Sequence, residues 1–299
     1  MTSPDPDEIA RACIDKYTSH REFWPDVRSN GVPQFTVLAG AKCLPFNKLP
    51  KSGEALHDSH AEVLARRGAI RWLYSHLLSG ESEWVCDRRL RRGTQVWLYI
   101  STLPCGDAST SALAINQPVE MATLKAISPM PQPERGTTAR GRDNYNALGW
   151  LRTKPARADA PPTISHSCSD KIALWSLVGF QGALLYQLMG PLFFSGLVIG
   201  DVLGQFSDSE VDRVRRIASV RLLIVCAHCL VVHELRIVFT RVLFPHTRSQ
   251  IVAPNAVSDP ESHIWIGPST NNPDAWETIV NGFRRGIGPK RTKPQDSSM

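Results

Sequence analysis

The chain has 299 residues, 42% hydrophobic and 21% charged, with eight Trp, which excludes a disordered or low-complexity protein and suffices to bury a core. A net charge of +6, from 34 Lys and Arg against 28 Asp and Glu, excludes an acidic tail protein and permits a nucleic-acid partner without establishing one. Seven scattered cysteines exclude a disulfide scaffold and favour a reducing compartment, and the N-terminus lacks the basic and apolar regions of a secretory signal.

A first helix is predicted over 7–20, where Ile9, Ala12, Cys13 and Tyr17 recur at helical spacing. Residues 34–39 (QFTVLA) read as a strand and 42–56 as a loop. The clearest helix starts at Ala61, with Leu64, Ala65, Ala69, Trp72, Leu73 and Leu77 on one face and Arg66, Arg67, Arg71 and Tyr74 between them. Arg88, Arg89, Arg91 and Arg92 read as a solvated loop before the strand at 95–101 (QVWLYIS), whose unbroken apolar character suits burial on both faces. TLPCGDAS then turns into another helix. Residues 128–165 are rich in proline and arginine, lack periodicity, and read as a long basic loop. A helix follows from SCSDK, with Ile172, Trp175, Leu177 and Val178 apolar; strands are predicted near 222–232 and over 263–266. The longest apolar run, LLIVCAHCLVV, is about half the ~20 residues of a membrane span, so no membrane is expected. Helices alternating with strands point to an α/β layered domain.

The chemistry gathers at three predicted helix starts. HDSHAEV puts His60 and Glu62 at one helix mouth, Cys105 opens the next, and Cys168 opens the helix after the long loop; a helix N-terminus favours a thiolate. One His and two Cys leave the fourth position of a zinc ion open to water. Zinc lowers the pKa of that water toward ~7, and a carboxylate that is not a ligand can move its proton. H-x-E followed by P-C and a further Cys is the pattern of zinc nucleobase deaminases. The spacing departs from C-x-x-C, because Gly106, Asp107, Ala108 and Ser109 follow Cys105 and the next cysteine is Cys168. Cys226, His228, Cys229 and His233 have a spacing open to a second metal, but their apolar setting suits plain core packing.

The segments HDSHAEVLARRG, STLPCGDAS and SCSDKIALWSLVGFQGALL resemble the adenosine deaminases acting on RNA, and NYNALGWLRTKPARADAPPT resembles their eukaryotic tRNA branch. The resemblance runs from about residue 9 to 288. It implies a three-layer, cytidine-deaminase-like α/β zinc fold with helices on a mixed central sheet, one domain over 1–299 with the 128–165 loop inside it. It implies His60, Cys105 and Cys168 as zinc ligands and Glu62 as the proton shuttle. It further implies Lys42 on the RNA backbone, an inositol hexakisphosphate among Arg66, Arg67, Lys171 and Trp175, and a polar relay through Asp58, Lys171 and Gln181. The family continues past the region matched by the last residues here, so a C-terminally shortened member is expected, with its inositol phosphate site less enclosed.

The basic loop joins two ligand-bearing elements, and Arg152, Lys154 and Arg157 are expected to meet RNA there. The expected activity is zinc-dependent deamination of adenosine to inosine in tRNA, by resemblance at the position 3′ of the anticodon of alanine tRNA. The expected setting is intracellular, nucleus or cytoplasm, with no obligate protein partner. The alternatives are a deaminase of duplex RNA or free nucleoside, and an RNA-binding remnant without activity.

Overall fold

A computed structural model describes residues 4–19, 36–39, 41–80, 82–115, 117–127, 138–140, 150–154, 161–200, 233, 235–247, 261–267 and 276–287. The predicted run at 222–232 and Arg157 lie outside them. In chain order the elements are α1 (Pro6–Ser19), β1 (Thr36–Ala39), β2 (Ala41–Cys43), β3 (Asp58–His60), α2 (Ala61–Leu78), β4 (Val85–Cys86), β5 (Arg89–Leu90), β6 (Trp97–Ile100), α3 (Thr110–Ile115) and α4 (Val119–Ile127). There follow β7 (Ala139–Arg140), β8 (Arg152–Thr153), α5 (Cys168–Val178), α6 (Gly182–Met189), β9 (Gly196–Ile199), β10 (Arg236–Phe239), β11 (Glu261–Ile266), β12 (Trp276–Val280) and β13 (Phe283–Arg284). The α/β class is as expected.

Instead of one mixed central sheet, the described strands pair as two principal ladders. One is antiparallel, in the order β1-β11-β12-β13, and the other is parallel, in the order β10-β9-β6. Leu98 and Ile100 of β6 and Leu197 and Ile199 of β9 form one core with Ala69, Trp72 and Leu73 of α2 and Ile172 and Trp175 of α5. Each fully buried Leu or Ile there contributes about 1.5–3 kcal/mol over leaving it in water. Val198, on the opposite face, is equally buried, and α1 lies against β6 and β9. Both faces of the parallel ladder are thus covered, which is why β6 reads as an unbroken apolar run.

The long loop of the sequence is partly ordered: β7 and β8 pair in parallel, and Thr153 bridges to His166. The stretch Cys168–Met189 is apolar and long enough by composition to cross a membrane, but half of it is buried within the fold. It is also two helices, broken at Gly179, whose φ of 83° lies in the left-handed region. A side chain there would also collide with Gln181.

Candidate metal centre and active site

The three parallel strands end on one side of the molecule, where α/β proteins bind their ligands. Cys105 lies in the turn that leaves β6, Cys168 is the first residue of α5, and His60 ends β3 as the residue capping α2. Their ligand atoms all lie within 4.8 Å of one another, and Cys168 Sγ stands 3.6 Å from His60 Nδ1. Nitrogen and sulfur ligands at ~2.0 and ~2.3 Å from a tetrahedral zinc ion are themselves about 3.6 Å apart. The donor set and its spacing fit zinc, with three protein ligands and one position open. Glu62 follows in the first turn of α2, its carboxylate 4.0 Å from His60 Nδ1.

The two cysteine loops are stitched together by the residues around them. Ser167 caps α5, accepting from the Asp170 amide and donating to the Asp170 carboxylate at 2.6 Å. The amide of Cys168 donates to Cys105 Sγ at 3.3 Å. Ser169 donates to the carbonyl of Cys105 from its amide and its hydroxyl, both at 2.9 Å, and its Oγ accepts from the Ala108 amide. This close approach requires Gly106, whose φ is 103° and where a Cβ would lie 2.1 Å from Ser167 Oγ. The hydrogen bond from Cys168 and the neighbouring His60 and Lys154 hold the Cys105 thiol well below its ordinary pKa, against the opposing effect of burial. A thiolate is the form that binds a metal.

Arg152 and Lys154 are not on the surface. The expectation that they meet RNA is corrected by their burial, at 0% and 3% exposure. Arg152 in β8 and Lys154 just after it both turn inward. Arg152 donates from Nε to Asp107 at 2.5 Å, from its amide to Asp170 at 2.9 Å, and accepts from the Ser167 amide at 2.7 Å. One residue therefore grips the segments after both cysteines, each of which carries Asp two positions on (C-G-D and C-S-D). A buried guanidinium is tolerated only with such a carboxylate partner. Lys154 Nζ lies 2.8 and 3.1 Å from the two oxygens of Asp58 and 3.3 Å from Cys168 Sγ.

Asp58 is the hub on the histidine side. Besides Lys154 it accepts from Lys171 Nζ at 2.5 Å, from Ser165 Oγ, and from the His60 amide at 3.0 Å. Burial opposes its ionisation, yet Lys154 and Lys171 hold it well below the usual carboxylate range. Asp58 and Lys171, two of the three residues expected in a relay, are in direct contact. Gln181 does not join them: its amide donates to the Val178 carbonyl and its carbonyl accepts from the Leu192 amide. Lys171 also donates to Ser165 and the His166 carbonyl.

Arg66 donates to the Phe180 carbonyl at 2.7 Å and lies over the buried Trp175 ring, 5.5 Å from its centroid. Arg67 is exposed beside it, and neither has a carboxylate partner among the described residues. Lys42 is exposed on β2, opposite Ser59. His233 stacks on Phe193 and its amide donates to the Ser176 carbonyl; Cys226, His228 and Cys229 lie outside the described residues. Sequence reasoning missed Asp107, Ser165, Ser167, Ser169 and Asp170. The repeated C-x-D was the available signal.

The family model described as the adenosine-deaminase (editase) domain matches residues 36–299. The chain is 30% identical to a tRNA-specific adenosine deaminase 1 of Drosophila melanogaster, over 99% of this chain and 79% of that protein. It is 31% identical to the tRNA-specific adenosine deaminase 1 of Saccharomyces cerevisiae, over 67% of this chain and 60% of the relative, and 30% identical to that of Schizosaccharomyces pombe, over 64% and 56%. The match thus spans less than two thirds of each fungal relative. Fold, ligand group and likeness agree, and the chain belongs to the adenosine-deaminase (editase) domain family.

Proposed function

We propose that this chain is a zinc-dependent hydrolytic deaminase that converts adenosine to inosine in tRNA, at the adenosine 3′ of the anticodon of alanine tRNA. The observation that carries the chemistry is the His60, Cys105 and Cys168 group with Glu62 beside it. The printed names of the relatives support tRNA as the substrate. We place the fold in the three-layer deaminase class, because α1 lies against β1, β6 and β9 while α2 lies against β1, β11 and β6. Both helices thus span the two ladders.

When bound, zinc supplies a water activated near neutral pH. Glu62 takes a proton from the attacking water and delivers it to N1 of the adenine as C6 accepts the oxygen, then takes the second proton from the new C6 hydroxyl and passes it to the departing amine as the C6–N6 bond breaks. Water is consumed and ammonia released, so atoms balance. Lys154, bonded to Asp58, holds Cys168 in place and keeps a positive charge beside its sulfur. Arg66 and Arg67, cations without a carboxylate partner among the described residues, suit a polyphosphate such as inositol hexakisphosphate. Lys171 and Trp175 are engaged with Asp58 and Arg66, so they would support that ligand from behind. Mass spectrometry of acid extracts of the purified protein tests for it.

Glu62→Ala should keep one zinc per chain and lose inosine formation by about 10²–10⁴-fold, the span of general acid–base catalysis. Normal turnover in that variant would overturn the role. Incubation with alanine tRNA, duplex RNA and free adenosine separates the substrates, and conversion of duplex or nucleoside in preference to tRNA would overturn the assignment.

A further inference from the structure

Phe46 is the only exposed Phe or Trp among the described residues, at 65%. Scattered exposed aliphatics are ordinary in folded proteins, but this ring has a built setting. It opens the 3-10 turn Phe46–Lys48, behind Pro45 in extended backbone. The turn is closed by the bonds from Lys48 N to Pro45 O at 2.9 Å and from Leu49 N to Phe46 O at 3.3 Å. Its two sides are pinned to the two segments that carry metal ligands. Leu44 N donates to His57 O at 2.8 Å, extending the β2–β3 ladder that ends at His60. Phe46 N donates to Pro162 O at 3.0 Å, on the segment that leads through Ser165 to Cys168.

Along the turn itself the charge has one sign. Lys42, Lys48 and Lys51 are all exposed, and no Asp or Glu occurs from 42 to 53, Glu54 being the next acid in the chain. Cys43 pairs with Asp58 across the ladder, a step of about 5 Å, and three further residues reach at most ~11 Å. The turn therefore lies within the span of a few nucleotides from the metal-binding group. An aromatic ring held on a stiff turn among cations is the arrangement that binds single-stranded nucleic acid: the ring takes a base face and the lysines take phosphates.

We propose that the turn at 42–51 is a stacking platform for unpaired RNA, with Phe46 under a base that flanks the target adenosine and Lys42, Lys48 and Lys51 on the neighbouring phosphates. This deepens the proposed function and rests on it. Such a platform would favour adenosines in loops, since a fully paired strand has no free base face to offer.

The test uses the zinc-loaded full chain and a hairpin RNA with the target adenosine in its unpaired loop, 2-aminopurine at the flanking loop positions, and a fully paired duplex as control. Phe46→Ala should weaken hairpin binding about five- to hundred-fold, the range of one base–aromatic stack, and abolish the change in 2-aminopurine fluorescence. Phe46→Trp should restore both. Lys48→Ala with Lys51→Ala should flatten the dependence of log K on log salt by about 1.4, two phosphate contacts on a single strand. Unchanged hairpin binding by Phe46→Ala, while the wild-type chain binds and deaminates, overturns the platform and leaves the deaminase reading standing. An equal loss on the duplex overturns the assignment to unpaired RNA. A wild-type chain that neither binds the hairpin nor forms inosine in it overturns the RNA reading beneath the proposal.

Discussion

Two sets of cations in this protein sit in opposite surroundings. Arg152, Lys154 and Lys171 lie within the ligand cage, each bonded to a carboxylate of Asp107 or Asp58. Lys42, Lys48, Arg88 and Arg89 stand in solvent on the β2 turn and on the β4–β5 hairpin. Taking a charge out of water costs several kcal/mol per ion unless geometry and pairing offset it, so the inner set is bound to one arrangement. That constraint is useful where ligand atoms must be held to fractions of an ångström. The outer set costs little and fixes nothing within the chain. Of the two sets, the outer cations are the ones open to an anionic partner, and the inner ones belong to the geometry of the site.

Breaking the inner set should have the larger effects. Removing a ligand is the most severe change: Cys168→Ala should lose bound metal and inosine formation together, and full zinc occupancy by elemental analysis would remove Cys168 from the ligand set. Arg152→Met comes next. It leaves Asp107 buried without its cation and should cost about 3–5 kcal/mol in denaturant unfolding. Replacing both partners, in Arg152→Met/Asp107→Leu, should recover most of that stability, because an apolar pair of similar volume carries no buried charge. If the pair positions the cysteines, the double variant should nonetheless show an altered spectrum when loaded with Co(II). Gly106→Ala follows. Its φ of 103° costs an alanine about 1–3 kcal/mol, and the new Cβ displaces the Ser167 cap. The expected outcome is a lower melting temperature with faster zinc release to a chelator.

The division between the two sets was only partly legible in the sequence. Amphipathic spacing disclosed α1 and α2, and the unbroken apolar run disclosed β6, because those signals are local and repeat over several residues. His60, Glu62, Cys105 and Cys168 were legible as chemistry, and the structure brings the three ligand candidates together. Arg152 and Lys154 read as surface cations because β8 is two residues long and shows no period of its own. Its direction is set by pairing with β7 and by the bridge to His166, contacts that composition does not carry. The separation of the strands into two ladders is non-local in the same way. Gln181 was placed in the relay by resemblance, whereas the break between α5 and α6 turns it to the Val178 and Leu192 main chain.

The smallest effect, and the sharpest contrast, comes from an outer pair with the same chemistry as the inner one. Arg71 of α2 makes two bonds to Glu277 of β12, at 2.8 and 2.9 Å, with the Arg71 side chain 52% exposed. A double-mutant cycle over Arg71→Ala and Glu277→Ala should give about 0.5–1 kcal/mol, falling as salt is added. The hydrogen bonds from Arg71 hold the Glu277 carboxyl below its ordinary value of 4.5, against the opposing effect of burial. A carboxylate whose folded pKa is depressed stabilises the fold fully above the unfolded value and ceases to do so as the pH falls through the folded one. The cycle should therefore give its full coupling at pH 7 and lose it as the pH falls through the depressed folded value, below 4.5. The Arg152–Asp107 pair, sealed from solvent, should show almost no dependence on salt over the range that weakens Arg71–Glu277. Equal salt sensitivity in the two pairs would mean that water reaches Arg152, and that the inner and outer cations differ less than their burial implies.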